Sequence, residues 1–153
     1  MKNILVLCTG NSCRSQIAEG FLRYYAGEKA NVYSAGVETH GVNPRAISIM
    51  NEVGIDISNH TSNHVDEYAN IDFDFIITVC DNAAGEVCPV WPGQPISAHW
   101  GFEDPAAVEG SDEEKRRAFE HIYLLIKNKV QLFLNLSLES MDKSAIKNEM
   151  QKI

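Results

Sequence analysis

A cysteine and an arginine separated by five residues form the part of the sequence best suited to chemistry. Cys8 ends an apolar run that predicts a strand, and Arg14 and Ser15 begin a segment with helical spacing. The first N–H groups of a helix lack partners and favour anions, and arginine presents a planar fork of donors to an oxyanion. The stretch predicts a thiol nucleophile facing a tetrahedral oxyanion, and we expect this field to lower the pKa of Cys8.

The loop after the first predicted strand supplies the candidate oxyanion donors, which are Thr9, Gly10, Asn11, Ser12, Cys13 and Arg14. A nucleotide-binding phosphate loop would carry Gly-Lys-Ser/Thr after its last glycine. Here Asn11 follows Gly10 and the loop contains no lysine, so nucleotide hydrolysis is disfavoured. A plain strand-to-helix turn with one buried cysteine is the simpler alternative, but it gives no reason for the Cys-x5-Arg-Ser pattern.

Composition narrows the class of protein. The 153 residues are 44% hydrophobic and 22% charged, which is typical of one soluble globular domain. A net charge of -8 argues against nucleic acid or an anionic membrane as a partner. We expect a cytoplasmic location, because no signal peptide or apolar span is evident. Four cysteines are too few for a disulfide scaffold and indicate catalytic, redox or metal-binding roles.

Apolar runs alternate with helical segments along the chain, which predicts one α/β domain over residues 1–153. We expect a four-stranded parallel sheet with helices on both faces, and a peripheral tail helix within 136–153. The predicted strands span 3–8, 32–36, 73–80 and 96–100. The predicted helices span 15–25, 44–53, a short segment near 64–68, a long one that starts at the Ser111 cap, and the tail.

Two further cysteines lie where a parallel sheet would bind ligands, at or after the carboxyl end of a strand. Cys80 ends the third predicted strand, so it is expected on the same rim as Cys8, and Cys88 lies in the following loop. A buried core cysteine and a loop thiol are the simpler alternatives. A zinc site would combine these two cysteines with a histidine, for which His60, His64 and His99 are the candidates. Seven residues separate Cys80 from Cys88, whereas zinc sites usually pair cysteines two to four residues apart.

Residues Leu7–Gln16 resemble the loop of the low-molecular-weight protein tyrosine phosphatase superfamily. The chain is similar in particular to the arsenate reductases that carry a redox relay on that fold, through segments 32–36, 39–44, 53–62 and 99–105. Phosphatases of the superfamily usually have proline after the Arg-Ser pair and tyrosines after the Asp-Pro pair. This chain has Gln16 and Ala106-Ala107 at those positions, which favours the reductases.

The resemblance implies a role for each residue of the loop. Cys8 attacks the arsenic of arsenate, while Arg14 and the loop N–H groups hold the oxyanion. Ser15 would hydrogen-bond to the sulfur of Cys8, and Asp104 would protonate the leaving oxygen as general acid. On residue chemistry alone, an Asp-Pro pair such as Asp104-Pro105 more commonly does no more than initiate a turn. The expected ligand is arsenate, with phosphate or sulfate as analogues, and the expected role is arsenic detoxification.

The resemblance also implies a relay of thiols and no bound cofactor. Cys80 would attack Cys8, release arsenite and form a Cys8–Cys80 disulfide, and Cys88 would then convert this to a Cys80–Cys88 disulfide. Thioredoxin would reduce that bond. The Cys80–Cys88 gap is slightly longer than in thioredoxin-linked members, so glutathione with glutaredoxin stays an alternative. Cys13 is interpreted as structural, with oxidative pairing to Cys8 as a side reaction.

Some members of the family hold a potassium ion near the loop, and the matching positions here are Asn11, Glu19, Ser34 and Asn63. Asn63 replaces the usual aspartate, so we expect cation binding to be weak or absent. The simpler alternative is that Asn11 braces the loop through hydrogen bonds.

Two other functions stay open at the level of sequence. One is a phosphomonoesterase of the tyrosine phosphatase type, which would use only Cys8, Arg14 and Asp104. The other is a non-catalytic oxyanion-binding protein, which the extra thiols and the general-acid position disfavour.

Overall fold

The predicted four-stranded parallel sheet is confirmed. The computed structural model describes residues 2–81, 85–86, 91–93, 95–136 and 141–153. Its strands are β1 (Lys2–Cys8), β2 (Ala30–Gly36), β3 (Phe75–Thr78) and β4 (Ile96–His99). They are all parallel and lie in the order β2-β1-β3-β4. The two interior strands are therefore β1 and β3, the strands that lead to Cys8 and Cys80.

Within the described residues, four α-helices accompany the sheet, and their starts follow local rules. They are α1 (Arg14–Ala26), α2 (Pro44–Glu52), α3 (Asp112–Leu134) and α4 (Lys143–Lys152), with 3-10 turns at Gly27–Lys29, Val65–Tyr68 and Pro105–Ala107. Pro44 stands at the first turn of α2, where its missing N–H costs nothing. Ser111 and Glu114 form the predicted capping box before α3.

Alternating side chains of β1 divide the core between the two faces of the sheet. Ile4, Val6 and Cys8 join the larger cluster, which contains buried residues from all four α-helices. Leu5 and Leu7 point to the other face, into a smaller cluster. The partners there are the 3-10 turn Val65–Tyr68 and a set of aromatic rings, namely Tyr33, Tyr68, Phe73 and Trp91.

The third strand is shorter than the predicted 73–80. Its ladder with β4 runs only from Phe75–Ile96 to Thr78–His99. Before the ladder, the main chain of Asp74 bonds to Asn3. After the ladder, Val79 still donates a hydrogen bond to the carbonyl of Leu7 at 2.9 Å. The chain thus leaves the sheet beside the end of β1.

The tail forms a helix, as expected, and this helix packs against the core. Ile146 and Met150 of α4 are buried in the main core. The indole N–H of Trp100, itself buried, donates to the Met150 carbonyl at 2.9 Å. The side-chain amide of Gln151 bonds to both the N–H and the carbonyl of His99 at the edge strand. Across the described ranges, no helix is long and apolar enough to cross a membrane.

Candidate oxyanion and thiol site

The loop between β1 and α1 turns its carbonyl groups outward. The carbonyl oxygens of residues 9–13 each accept a hydrogen bond of 2.9–3.1 Å. The donors, in chain order of the acceptors, are the backbone N–H groups of Glu38 and His40, the side-chain amide of Gln16, and the backbone N–H groups of Asn43 and Ile17. A trans peptide points its N–H opposite to its carbonyl. The N–H groups from Gly10 to Arg14 therefore line the inner side of the loop, as the sequence predicts for an oxyanion cradle.

Asn11 holds this curved backbone in place. Its φ is 48°, a left-handed conformation that asparagine tolerates better than most residues. Its side-chain amide donates to the hydroxyls of Ser15 and Ser34 at 2.9 Å each, and its oxygen accepts from the N–H of Asn63 at 2.7 Å. Nearby, a Cβ at Gly36 would lie 2.5 Å from the Thr9 carbonyl oxygen, so only glycine lets β2 approach the loop.

The start of α1 is open towards the loop. Its N-cap residue, Cys13, makes no side-chain capping hydrogen bond, so the Cys13 side chain does not pair with the first N–H groups of the helix. Arg14 follows it and is 4% exposed. Its Nη1 donates to the Phe102 carbonyl at 2.9 Å, which fixes the guanidinium against the loop that leads to Asp104.

A carboxylate that the sequence analysis missed occupies the guanidinium of Arg14. Glu86 accepts from Nη1 at 2.8 Å and from Nη2 at 2.6 Å, and its oxygen lies 3.5 Å from the Thr9 hydroxyl. The Nε–H of Arg14 is buried without a hydrogen-bond partner in the described part of the chain. Glu86 lies 72 positions from Arg14, and its only sequence signal was its place between Cys80 and Cys88.

The prediction of a lowered pKa for Cys8 is wrong in this state. Burial raises the pKa of the Cys8 thiol, and Arg14 and the Thr9 N–H oppose that rise only in part. Glu86 and Asp104 raise the pKa further, since both place negative charge near the sulfur. Burial likewise raises the pKa of Cys13 to about 12, which agrees with a structural rather than a nucleophilic thiol.

Ser15 and Asp104 both lie at the site, with contacts of their own. The Ser15 hydroxyl is fully buried and accepts from Asn11, so its predicted bond to the Cys8 sulfur stays a prediction. One Asp104 oxygen caps the 3-10 turn by accepting from the Ala106 N–H at 2.9 Å. The other lies 3.8 Å from Nη2 of Arg14, and the side chain is 35% exposed. Asp104 thus initiates a turn and also reaches the oxyanion loop.

Cys80 lies on the same rim as Cys8, as the strand ends predict. The parallel register aligns Leu7 with Thr78, so both cysteines follow at adjacent strand ends. The sulfur of Cys80 is buried and lies 4.0 Å from the carbonyl oxygen of Leu7. Cys80 is disulfide-bonded, whereas Cys8 and Cys13 are free thiols. Cys88, the remaining relay candidate, lies outside the described residues.

The described residues give no support to the zinc alternative. A disulfide-bonded Cys80 has no thiolate to offer a metal. Nδ1 of His99 lies 2.6 Å from the Thr78 hydroxyl, and Nδ1 of His60 lies 3.1 Å from the Gln16 side-chain oxygen. Within the described ranges, no group of three or more His, Cys, Asp or Glu side chains could hold a metal ion.

The donor set for potassium does not fit a cation either. Ser34 donates its hydroxyl hydrogen to Glu19 at 2.6 Å, and the other Glu19 oxygen accepts from Arg23 at 2.7 Å. The Asn63 side chain bonds to Thr61 within its own turn. Arg23 therefore already compensates the charge of Glu19, and these side chains form a hydrogen-bond network among themselves.

The low molecular weight phosphotyrosine protein phosphatase family matches residues 3–151 of this chain. The chain belongs to this family. Within this phosphatase family it is 48% identical over 132 residues to an arsenate reductase of Halalkalibacterium halodurans, a match that covers 86% of this chain and 94% of that one.

Solved structures of arsenate reductases share its fold. An arsenate reductase in a phosphate-binding state is 36% identical, with a TM-score of 0.66, and the match covers 86% of this chain and 98% of that chain. A thioredoxin-dependent arsenate reductase of Corynebacterium glutamicum is 29% identical with a TM-score of 0.58, over 86% of this chain and 63% of that one. The predicted phosphatase-like fold is thereby confirmed.

Proposed function

We propose that this chain is an arsenate reductase that uses a relay of cysteine thiols. One observation carries the proposal: a free Cys8 lies at an oxyanion loop, beside a Cys80 that is already in a disulfide. A phosphatase needs only the first of these thiols. The identity to arsenate reductases, at 48% over most of both chains, supports the same conclusion.

The first step uses the oxyanion loop. The Cys8 thiolate attacks the arsenic of arsenate, and an As–S bond forms as an oxygen leaves. The N–H groups from Gly10 to Arg14 and the guanidinium of Arg14 bind the remaining oxygens and stabilise the charge that develops. Asp104, 3.8 Å from that guanidinium, donates the proton that lets the leaving oxygen depart as water.

The second step moves the electrons. The Cys80 thiolate attacks the sulfur of Cys8, so an S–S bond forms, the S–As bond breaks, and its electron pair stays on arsenic as arsenite. Cys88 then attacks Cys80, and Cys8 leaves as a thiolate. Disulfide formation needs Cα atoms within about 7 Å. The adjacent strand ends of Cys8 and Cys80 favour this, and the state with Cys8 free and Cys80 oxidised is the state that the relay leaves behind.

The reductant that closes the cycle is a dithiol protein in the cytoplasm, for which we propose thioredoxin. A thioredoxin-dependent relative with this fold supports the choice. Glutathione with glutaredoxin is the alternative, and neither route needs a cofactor bound to this chain. Comparing the rates with the two reductants at equal concentration decides between them.

The test of the relay is arsenate-dependent NADPH oxidation with thioredoxin and thioredoxin reductase. We expect Cys80→Ser and Cys88→Ser each to abolish steady turnover. Cys13→Ala is the matched control, because it removes a thiol from the same loop without removing a relay member or adding a side-chain cap to α1, and it should retain most activity. Steady turnover by Cys80→Ser would disprove the relay.

Phosphomonoester hydrolysis is the second candidate, since the family match and the oxyanion loop are as compatible with hydrolysis of a phosphate ester as with arsenate reduction. It predicts rapid hydrolysis of an aryl phosphate that persists in Cys80→Ser and needs Asp104. Tight binding of arsenate or phosphate without turnover, whatever thiol donor is supplied, would instead support a non-catalytic oxyanion-binding protein.

A further inference from the structure

We propose that Glu86 is an internal ligand of the oxyanion loop. While Cys80 is in a disulfide, the Glu86 carboxylate occupies Arg14 and keeps arsenate and phosphate out, and reduction of that disulfide releases it. This inference rests on the proposed function, because it concerns the same loop and the oxidised state of the same relay.

The contact has the geometry with which arginine binds oxyanions. Both Glu86 oxygens accept from Arg14, one from each terminal nitrogen, at 2.8 and 2.6 Å. The paired side chains are 5% and 19% exposed, so water screens the pair poorly. The Thr9 hydroxyl, in the loop itself, lies 3.5 Å from one of the same oxygens. A carboxylate of the chain thus occupies the guanidinium that an arsenate or phosphate dianion would need.

The pair leaves part of the site unused, as we expect of a ligand that a larger oxyanion can replace. A carboxylate has two oxygens, and both lie on the terminal nitrogens of Arg14. The buried Nε–H of Arg14 keeps no partner in the described part of the chain, and leaving a buried donor unpaired is unfavourable. A tetrahedral oxyanion has four oxygens and can engage Nε as well as the inward N–H groups.

The backbone links Glu86 to the redox state of Cys80. The N–H of Glu86 donates to the Asp81 carbonyl at 3.2 Å, and Asp81 directly follows the disulfide-bonded Cys80. The position of Glu86 therefore depends on the chain next to the disulfide. In the relay, arsenate binds when Cys80 is a thiol, and the oxidised state needs no oxyanion. Glu86 occupies Arg14 in the oxidised state.

The consequence for the reaction is a site that closes after turnover. Phosphate is an analogue of arsenate, so an oxidised protein with an open loop would bind phosphate without any reaction following. With Glu86 on Arg14, such an anion has to displace a buried, bidentate carboxylate before it can bind. Reduction of the disulfide restores Cys80 as a nucleophile and opens the loop together.

The test measures inorganic phosphate binding by calorimetry to the oxidised protein and to protein reduced with a phosphine, which takes up the disulfide's oxidising equivalent as phosphine oxide. We expect the oxidised wild type to bind phosphate at least roughly tenfold more weakly than the reduced form, which corresponds to 1.4 kcal/mol. Glu86→Gln should bind it with similar affinity in both states, because the neutral amide no longer competes for Arg14.

Glu103→Gln is the matched control, since Glu103 is an exposed carboxylate one residue from Asp104. It should keep the wild-type difference between redox states. If it abolishes that difference as Glu86→Gln does, the effect is general charge and the proposal is overturned. Glu86→Asp is a second variant in case Glu86→Gln folds poorly. It keeps the charge but shortens the side chain by one methylene, and it should also weaken the redox dependence.

Two further results would overturn the proposal. One is oxidised Glu86→Gln that binds phosphate as weakly as oxidised wild type. The other is a gain in affinity that is equal in the oxidised and reduced states, which would remove the redox link. Phosphate binding requires no turnover, so failure of the arsenate assay and failure of this binding pattern are separate observations.

Discussion

The charge of Arg14 is shared between two carboxylates in this structure. Glu86 contacts it at 2.6 Å and Asp104 at 3.8 Å. Both carboxylates raise the pKa of Cys8, and so oppose the effect of Arg14 on the thiol. The thiol of Cys8 is therefore harder to ionise and the guanidinium of Arg14 is already paired, as we expect of the proposed relay while Cys80 is in a disulfide.

In the proposed mechanism, Asp104 supplies the proton of the first chemical step. We expect Asp104→Asn to slow single-turnover arsenite formation by roughly 10²–10⁴-fold, the usual contribution of a general acid. The amide keeps the shape of the side chain and its acceptor oxygen for the Ala106 N–H, so the 3-10 turn should stay intact. The measurement is rapid-quench analysis of reduced protein with arsenate.

The matched control for that measurement is Glu103→Gln, which removes a neighbouring exposed charge and should change the rate by less than roughly threefold. A loss of under tenfold in Asp104→Asn would mean that another group or water supplies the proton.

Some properties of the site were predictable from the sequence and others were not. The Cys8–Arg14 spacing was informative because one loop carries both residues and its chemistry is local. Glu86 was missed because an ion pair across 72 positions leaves no mark in local periodicity. The error in the pKa of Cys8 has the same origin, since burial and the Glu86 charge are tertiary properties.

At the scale of elements, the oxyanion loop depends on Asn11 for its shape. Asn11→Ala removes three hydrogen bonds, to Ser15, Ser34 and Asn63, in a fully buried place, and it puts alanine at a positive φ. We expect a loss of roughly 3 kcal/mol or more in the free energy of unfolding, because the partners stay buried. Phosphate binding to the reduced protein should weaken as well.

Urea denaturation provides the stability measurement. Asn63→Ala is the control for it, since the Asn63 side chain bonds to Thr61 while its backbone N–H serves Asn11. That variant should lose less than about 1 kcal/mol. Equal losses in the two variants would contradict a bracing role for the Asn11 side chain.

Helix α4 protects the edge of the sheet. Met150 is fully buried, and the neighbouring Gln151 amide satisfies the outer backbone groups of His99. Met150→Ala should lower the free energy of unfolding by about 2–5 kcal/mol, as large-to-small changes in cores do. Lys147→Ala, on the exposed side of α4, should change it by less than about 0.5 kcal/mol in the same urea titration. If Met150→Ala has the same free energy of unfolding as the wild type, α4 is not part of the cooperative fold.

Element boundaries were predictable only where local chemistry sets them. The Ser111 capping box and the Pro44 start were found because side chains next to the helix end determine both. The ends of β3 were not found, because the register with β4 and not the apolar run 73–80 sets the strand's length. The parallel register nevertheless brought the cysteines at the two strand ends to one rim, since that follows from topology alone.

For the molecule as a whole, the buried thiol of Cys13 links folding to alkaline pH. Its pKa is about 12 in the folded protein, against an ordinary value of 9.0, so the unfolded chain releases this proton first as pH rises. A raised folded pKa gives stability that is fully present below pH 9 and is lost as pH rises towards 12. At 1.36 kcal/mol per pH unit, the loss in the free energy of unfolding is roughly 3 kcal/mol by about pH 11.

Cys13→Ala has no such proton, so the difference between wild type and Cys13→Ala in the free energy of unfolding should shrink over this range. The lysine and tyrosine side chains are the same in both proteins, so their contributions to the free energy of unfolding cancel in this difference. Urea titrations of both oxidised proteins from about pH 7 to about pH 11 measure it. A difference that stays constant with pH would mean that the Cys13 thiol ionises equally easily in the folded and unfolded chains.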